Sequence, residues 1–250
     1  MSGHSKWHSI KHKKGAADAA RGKLFAKLIR QIEVAAREGG ADPDANPTLR
    51  TMVSKARDAS VPVDTIDRAI KRGTGELEGV RYEQVTYEGY APNGVAVLVE
   101  TLTDNRNRTG QEVKNAFSRH GGSLAEPGAV AWQFERKGVI TVDAAATTED
   151  DLMLAALDAG AEDITEQGDT WQVSTAPTDL HKVREALAGV GIPVQNAELL
   201  MLATTTVPLA DETSAKAVLR VIDALEENDD VQTVNANFDI PDDVLEAVMA

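Results

Sequence analysis

The chain has no cysteine among its 250 residues, and only 4% of them are aromatic. The absence of cysteine excludes disulfides, thiolate metal sites and cysteine nucleophiles, and it is consistent with a reducing compartment. No apolar run approaches the roughly 20 residues of a membrane span. The N-terminal charges are not followed by the apolar stretch of a secretory signal. These absences predict a cytoplasmic protein with no membrane partner, whose cores are filled by Ala, Val, Leu and Ile.

Catalytic signatures are absent as well. There is no Gly-x-x-x-x-Gly-Lys-Ser/Thr loop, no Gly-x-Gly-x-x-Gly after a predicted strand, no His-Glu-x-x-His and no Gly-x-Ser-x-Gly. Only His120 and His181 lie beyond the first twelve residues, and the carboxylates are dispersed in patterns typical of helix surfaces. We therefore predict a non-enzymatic protein with no catalytic residue and no cofactor.

Charge is distributed unevenly along the chain, whose formal net charge is −14. Residues 1–80 hold 15 basic and 10 acidic side chains, whereas residues 141–250 hold 4 basic and 23 acidic ones. The first 37 residues alone hold nine basic and two acidic side chains. A cationic segment on an acidic body indicates contact with a polyanion. A solvated basic tail with no partner is the alternative, and the density of charge together with Trp7 favours binding.

The first candidate site is this N-terminal basic segment. Lysine and arginine neutralise phosphates with little regard to sequence, and Trp and His rings offer flat surfaces for stacking on bases. The candidate nucleic-acid-binding residues are Lys6, Trp7, His8, Lys11, His12, Lys13, Lys14, Arg21, Lys23, Lys27 and Arg30. The spacing of His4, His8 and His12 would permit a metal site on a helix. Their lysine neighbours, with no carboxylate nearby, argue against it, so no metal is predicted.

The second candidate site is the run Asn105, Arg106, Asn107 and Arg108, which lies between a predicted strand and a predicted helix. The helix is expected to begin with a capping box over residues 109–112. Free backbone N–H groups and the helix dipole favour an anion at this position, such as a phosphate of RNA or DNA. Alternatively, the arginines pair with the protein's own carboxylates, and the residues alone leave both interpretations open.

Hydrophobic periodicity predicts three amphipathic helices in the first 79 residues, over 22–38, from Pro47 onward with Asn46 as N-cap, and over 62–72. Strands are predicted over 84–90, 95–103 and 130–134, with the capped helix before the last of them. Residues 138–204 follow a complete βαββαβ pattern. A final helix over 212–225 and a strand over 231–238 cannot bury their own faces alone.

The simplest topology lets this last helix and strand complete the unfinished ββαβ unit, so that the acidic βαββαβ unit is an insertion. A linear chain of four pieces is the alternative. We predict an α+β fold in which an N-terminal three-helix domain is followed by two interleaved α/β (ferredoxin-like) domains. The expected bounds are 1–79 for the basic helical domain, 80–136 plus 205–250 for the discontinuous domain, and 137–204 for the inserted acidic domain.

Several motifs resemble those of the YebC/PmpR family. They are Gly3-His4-Ser5-Lys6-Trp7 with Ile10, Lys11 and Lys13, and the stretches 87–95, 103–109, 121–124 and 132–134. The resemblance implies a helical domain followed by two interleaved α/β domains, with no cofactor and no catalytic residue. Members are described as probable transcriptional regulators that bind DNA. A mitochondrial relative is a translational activator of cytochrome oxidase synthesis, and some bacterial members act on ribosomes stalled at proline runs.

Two functional hypotheses follow. The first is a non-enzymatic nucleic-acid-binding regulatory protein, by family description a DNA-binding transcriptional regulator. The second is a ribosome-associated translation factor that binds ribosomal or transfer RNA and relieves stalled peptide-bond formation. The second gains support because no helix-turn-helix with a readable recognition helix is evident, and because an acidic body would be repelled by long duplex flanks.

Overall fold

The computed structural model describes residues 17–249 of the chain. Its first elements are three helices, α1 (Ala17–Gly39), α2 (Pro47–Asp58) and α3 (Val63–Thr74). They bury Ile32, Leu49 and Ile66 in a shared core. Asn46 is the N-cap of α2, as predicted: its Oδ1 accepts from the Leu49 N–H at 3.0 Å. Its Nδ2 donates to the Ala35 carbonyl at 2.8 Å, so one buried amide both starts α2 and fastens it to α1.

The approach of α3 to α1 depends on Gly73. A Cβ at this position would overlap the carbonyl oxygen of Glu33 and lie 2.8 Å from the Cβ of Ala36. Both atoms belong to α1 and are held by its backbone, so neither can withdraw as a flexible side chain would. The glycine is therefore required by packing and not by its backbone conformation.

We expect Gly73→Ala to lower the free energy of unfolding by about 2 kcal/mol, because overpacking outweighs the gain in helix propensity. Gly22→Ala is the matched control, since Gly22 also lies in a helix but has open space around a built Cβ. The control should be about 0.5–1 kcal/mol more stable than the wild type. Urea unfolding followed by circular dichroism measures both changes. Equal effects of the same sign would show that helix propensity alone acts at Gly73.

The remaining elements form two four-stranded sheets with their helices. In chain order they are β1 (Glu83–Tyr90), β2 (Ala96–Thr103), α4 (Arg106–Arg119), β3 (Ser123–Leu124), β4 (Phe134–Asp143), α5 (Glu149–Leu157), β5 (Ala161–Gln167), β6 (Thr170–Thr175), α6 (Leu180–Gly189), β7 (Val194–Ala203), β8 (Val207–Pro208), α7 (Glu212–Glu226), β9 (Val231–Ala236), β10 (Phe238–Asp239) and α8 (Asp242–Met249). The short β8 and β10 pair in parallel with each other.

The first sheet has the strand order β3-β1-β2-β9, and the second has the order β5-β6-β4-β7. All pairs within both sheets are antiparallel. The second sheet, built from a βαββαβ sequence, has the ferredoxin-like strand order. The first sheet has the same antiparallel layout but the connectivity ββαβ followed, after the second sheet, by αβ. The predicted fold class is confirmed: an α+β chain with N-terminal helices followed by antiparallel sheets and helices.

The strand β9 follows the whole second sheet in sequence and yet pairs with β2, with Val234 opposite Val99. It does so because α7 and β9 carry apolar side chains that fit the core under the first sheet. That core includes Phe117, Ile222 and Leu225 together with both strands. This pairing is what the insertion topology requires, and the domain bounds given above stay a proposal.

Three predicted elements differ from the structure. Residues 130–134 form a 3-10 turn at Ala131–Gln133, and the strand that follows belongs to the second sheet and runs unbroken from Phe134 to Asp143. The predicted strand 231–238 is divided at Asn237. The Asn237 Oδ1 accepts from the Ala96 N–H at 2.7 Å, and its carbonyl accepts from the Val207 N–H at 2.7 Å. The chain thereby passes from the first sheet to β10. The start of α4 is the third difference.

The two sheets meet through a small apolar cluster. Ala96 and Leu98 of β2 lie on the face of the first sheet opposite α4 and α7, and they pack with Phe134 and Met201 at the ends of β4 and β7. The first sheet is thus covered on both faces. None of the helices within residues 17–249 combines the length and the apolarity that a membrane span needs.

Candidate nucleic-acid interface

A buried carboxylate, that of Asp230, joins three parts of the chain. It lies just before β9 and is 3% exposed. Its oxygens accept from the Arg108 guanidinium at 2.6 Å, the Thr109 hydroxyl at 2.7 Å and the Arg30 guanidinium at 3.0 Å. Thr103 completes the cluster, with its hydroxyl 2.7 Å from that of Thr109. The cluster therefore connects α1 with the start of α4 and the start of β9.

The charge of Asp230 is stabilised by these partners. Burial by itself would raise the pKa of the carboxyl, because it disfavours the charged form. Hydrogen bonds from Arg108 and Thr109, with the charges of Arg108 and Arg30, outweigh burial, so the pKa of Asp230 lies below its ordinary value. The carboxylate is therefore ionised at neutral pH, and its negative charge is paired with Arg108 and Arg30.

The basic face of α1 packs against the turn between α7 and β9. The Lys23 ammonium donates to the Glu227 carbonyl at 3.0 Å, and the Arg30 guanidinium donates to the Asp229 carbonyl as well as to Asp230. Arg30 also lies over the Tyr82 ring, 5.5 Å from its centroid. Two of the predicted nucleic-acid-binding cations thus hold α1 on the body.

The other predicted cations of α1 are placed differently. Lys27, on the same face of the helix as Lys23 and Arg30, is half-buried, whereas Arg21 is exposed. Lys6, Trp7, His8, Lys11, His12, Lys13 and Lys14 lie outside the described residues, so their role stays a prediction.

The helix α4 begins one turn earlier than predicted. Asn105 is its N-cap, since its Oδ1 accepts from the Arg108 N–H at 3.1 Å. The expected capping box at Thr109 is wrong: Thr109 lies inside the first helical turn with no exposed surface and bonds to Asp230. The Thr-x-x-Glu pattern gave a wrong start for the helix because Asn105, four residues earlier, is also a good N-cap residue. The contact of Thr109 with Asp230 forms only in the folded chain.

The two arginines at the start of α4 have different surroundings. Arg108 pairs with Asp104 at 2.8 Å as well as with Asp230, and these carboxylates raise its pKa further above the ordinary value. Internal pairing is therefore what the structure shows for Arg108. Arg106 and Asn107 are exposed, and within residues 17–249 the Arg106 side chain forms no ion pair. Whether Arg106 and Asn107 bind an anion stays a prediction.

A second buried carboxylate shapes the loop before β4. Glu88 of β1 is 7% exposed and accepts from three backbone N–H groups, those of Gly128 at 2.6 Å, Val130 at 2.7 Å and Ala131 at 2.8 Å. Burial opposes ionisation of this carboxyl, but the three donors outweigh it, and the pKa of Glu88 lies below its ordinary value. We call residues 125–133, which Glu88 holds in place, the Trp132 loop.

Sequence reasoning did not single out Asp230, Glu88 or the exposed ring of Trp132 as site residues. Asp230 and Glu88 look like two more members of an abundant class of surface carboxylates, and no spacing rule marks them as buried. Trp132 belongs to a recognised motif, but its 70% exposure is a property of the folded loop. Within the described residues no three His, Asp or Glu side chains cluster in the way that a metal ion requires.

The fold defines a class of protein. It is an α+β protein of three parts, in which basic N-terminal helices pack against an acidic remainder of the chain. The chain belongs to the TACO1/YebC family. Residues 5–76 match the model of the TACO1/YebC N-terminal domain, and residues 82–238 match that of the second and third domains.

Relatives of the same length share half or more of their residues with this chain. A protein of Rubrobacter xylanophilus is 58% identical over 249 residues, which are 99% of each chain. One of Sulfurihydrogenibium sp. is 51% identical over 247 residues, 98% of each chain. Both are named as a probable transcriptional regulatory protein. A crystal structure of a conserved hypothetical protein of Aquifex aeolicus is also similar, with a TM-score of 0.81 and 49% identity over 90% of this chain and 93% of that one.

Proposed function

We propose that this chain is a nucleic-acid-binding regulatory protein that acts in the cytoplasm without catalysis and without a cofactor. It contacts a polyanion through the basic segment before and at the start of α1. The observation that carries this proposal is the excess of nine basic over two acidic side chains in residues 1–37 of a chain whose net charge is −14. The names of the relatives support a regulatory role.

The distribution of charge along the chain supports contact through its N-terminal segment. Residues 137–204 hold 12 acidic and 3 basic side chains, so the inserted unit repels phosphates. Lys23 and Arg30 fix α1 to the rest of the protein, and Arg21 is exposed near the beginning of α1. A nucleic acid that binds residues 1–21 meets an excess of cations, whereas the charge of residues 137–204 disfavours contact with phosphates.

The first form of the proposal is a DNA-binding transcriptional regulator, following the names of the relatives. The second form is a ribosome-associated factor that binds ribosomal or transfer RNA, and one observation favours it. The helices α2 and α3 are joined by a short turn, as in a helix-turn-helix, but Asp64 and Asp67 are exposed beside Arg68 and Lys71 on α3. Exposed carboxylates near the start of a recognition helix oppose its insertion into a DNA groove.

Deletion of residues 3–14 tests the proposal. We expect it to weaken binding of single-stranded RNA, structured RNA and duplex DNA at least tenfold, measured by fluorescence anisotropy. The slope of log affinity against log salt should fall by about 3, because four lysines are removed and each phosphate contact contributes about 0.7–0.9. Circular dichroism should remain unchanged.

The matched control is Lys182→Ala with Arg184→Ala, which removes two exposed cations from the acidic inserted unit. This double variant should bind as the wild type does. Unchanged affinity after the deletion would contradict the proposal. An equal loss in the control would show that cations anywhere on the surface suffice.

The two forms of the proposal are separated by sedimentation of cell lysate at low salt. Co-migration with ribosomal particles that survives DNase treatment would support the RNA form. Protection of one promoter by the purified protein, with no such co-migration, would support the DNA form.

A further inference from the structure

The indole of Trp132, in the loop before β4, is exposed to solvent. Its side chain is 70% exposed, whereas Trp171 of the inserted unit is 9% exposed. Leaving so large an apolar ring in water forgoes a substantial gain from burial. Between residues 81 and 152, all of which the structure describes, Trp132 is the only large apolar side chain that is exposed.

The Trp132 loop is held firmly on both sides of the ring. On the N-terminal side, the Glu88 carboxylate accepts three of its backbone N–H groups, and the Tyr90 hydroxyl donates to the Ala129 carbonyl at 3.2 Å. On the C-terminal side, the Gln133 carbonyl accepts from the Thr204 N–H at 2.8 Å, and the Gln133 amide oxygen accepts from Asn237 at 2.9 Å. The ring is therefore presented by a pre-organised loop, which lowers the entropic cost of binding.

The polar end of the ring is already occupied. The Trp132 Nε1–H donates to the Ala129 carbonyl at 3.1 Å. What the ring offers to another molecule is thus its flat apolar faces and no free hydrogen-bond donor. Such a surface suits stacking against another flat ring and not hydrogen-bonded recognition of a particular base.

We propose that Trp132 is a stacking site for an unpaired base of a single-stranded nucleic acid. This inference rests on the proposed function, which supplies the ligand class. A docking site for a protein would be expected to carry a contiguous apolar patch with a polar rim. A single ring without exposed apolar neighbours in its own segment of the chain fits one base instead. Trp132 contacts a base whereas the basic segment contacts phosphates, so the two sites make different kinds of contact.

The test compares full-length wild type with Trp132→Ala, Trp132→Phe and Leu154→Ala. The last is the control, because Leu154 is 77% exposed on α5 of the inserted unit. Anisotropy measures binding of a labelled uridine 12-mer and of a fully paired RNA duplex. We expect Trp132→Ala to weaken binding of the 12-mer about tenfold, within the range for the loss of one stacked base. Trp132→Phe should keep most of the affinity, and Leu154→Ala all of it.

Three further readouts distinguish stacking from charge and from misfolding. Duplex affinity and the salt slope should not change in Trp132→Ala, because no cation is removed. Its unfolding midpoint should match that of the wild type. In a Trp7→Phe background, the 12-mer should quench the fluorescence of Trp132, since Trp171 is buried.

Affinity of Trp132→Ala for the 12-mer within twofold of the wild type overturns the stacking proposal. If the wild type binds the 12-mer through residues 3–14 and Trp132→Ala binds it equally well, only the stacking proposal fails and the proposed function stands. If the wild type binds neither oligonucleotide but binds duplex DNA, only the stacking proposal fails, and if it binds none of the three, both proposals fail. If Trp132→Ala keeps its affinity for the 12-mer but no longer co-sediments with ribosomal particles, the ring contacts another kind of partner and stacking is wrong.

Discussion

Asp230→Ala is expected to lower the free energy of unfolding by about 2–3 kcal/mol, because the buried Thr109 hydroxyl and the partly buried Arg30 guanidinium lose their acceptor, while Arg108 keeps Asp104. The carboxylate is 3% exposed and receives hydrogen bonds from Arg30, Arg108 and Thr109. Urea unfolding measures the loss. Hydrogen exchange should show it in α1 and in the first turn of α4, which the carboxylate connects.

The adjacent Asp229 supplies the matched control for this experiment. Its side chain is exposed, and Arg30 contacts only its backbone carbonyl, so Asp229→Ala should change stability by less than about 0.5 kcal/mol. Similar losses in the two variants would show that negative charge in the turn, and not the buried contacts of Asp230, stabilises the fold.

The effect of Asp230 should also depend on pH. Its pKa in the folded protein is lower than the value of about 3.9 expected in the unfolded chain. The stabilisation is therefore fully present above about pH 4 and is lost as the pH falls through the folded-state pKa. The difference in stability between the wild type and Asp230→Ala should narrow below about pH 4. A difference that stays constant down to pH 3 would contradict the role of the charged form.

Glu88→Ala is expected to lower the free energy of unfolding by about 3 kcal/mol, because it leaves three backbone N–H groups of the Trp132 loop without their acceptor. The loss should be local at first: hydrogen exchange of Val130 and Ala131 should accelerate before that of β1 and β2. Since the loop then no longer fixes the indole, the affinity for the uridine 12-mer should fall as well.

Glu126→Ala is the control in the same loop. The Glu126 side chain is exposed, and the loop uses only its backbone carbonyl, which accepts from the Ala129 N–H at 3.2 Å. This variant should keep both stability and affinity. If Glu88→Ala proves as stable as Glu126→Ala, the three hydrogen bonds do not determine the conformation of the loop.

Patterns of neighbouring residues in the sequence were sufficient to predict many of the helices and strands. Asn46 followed by Pro47 predicted the start of α2, and the βαββαβ pattern over residues 138–204 predicted the elements of the second sheet. These features depend on residues within a few positions of one another. The strand predicted over 130–134 was wrong, because Glu88, about 40 residues earlier, binds this segment as a loop.

The candidate site was less predictable than the fold. The charge of the N-terminal segment is a property of composition and was evident in the sequence. The contacts of individual cations were not evident in the sequence. Lys23 and Arg30 resemble phosphate ligands in the sequence, but in the folded protein they bind the turn at 227–230. The same holds for Arg108, which could have bound an anion and pairs with Asp230 instead.

The sequence by itself determined the class of fold, the family and the unequal distribution of charge, because periodicity, motifs and composition are local properties of the chain. Only the tertiary structure decided which charges are available. Asp230 lies some 200 residues from Arg30 and about 120 from Arg108, and a carboxylate becomes a buried partner only when folding brings such distant residues together and removes water. Exposure of Trp132 was decided in the same way, by a loop that Glu88 holds from another strand.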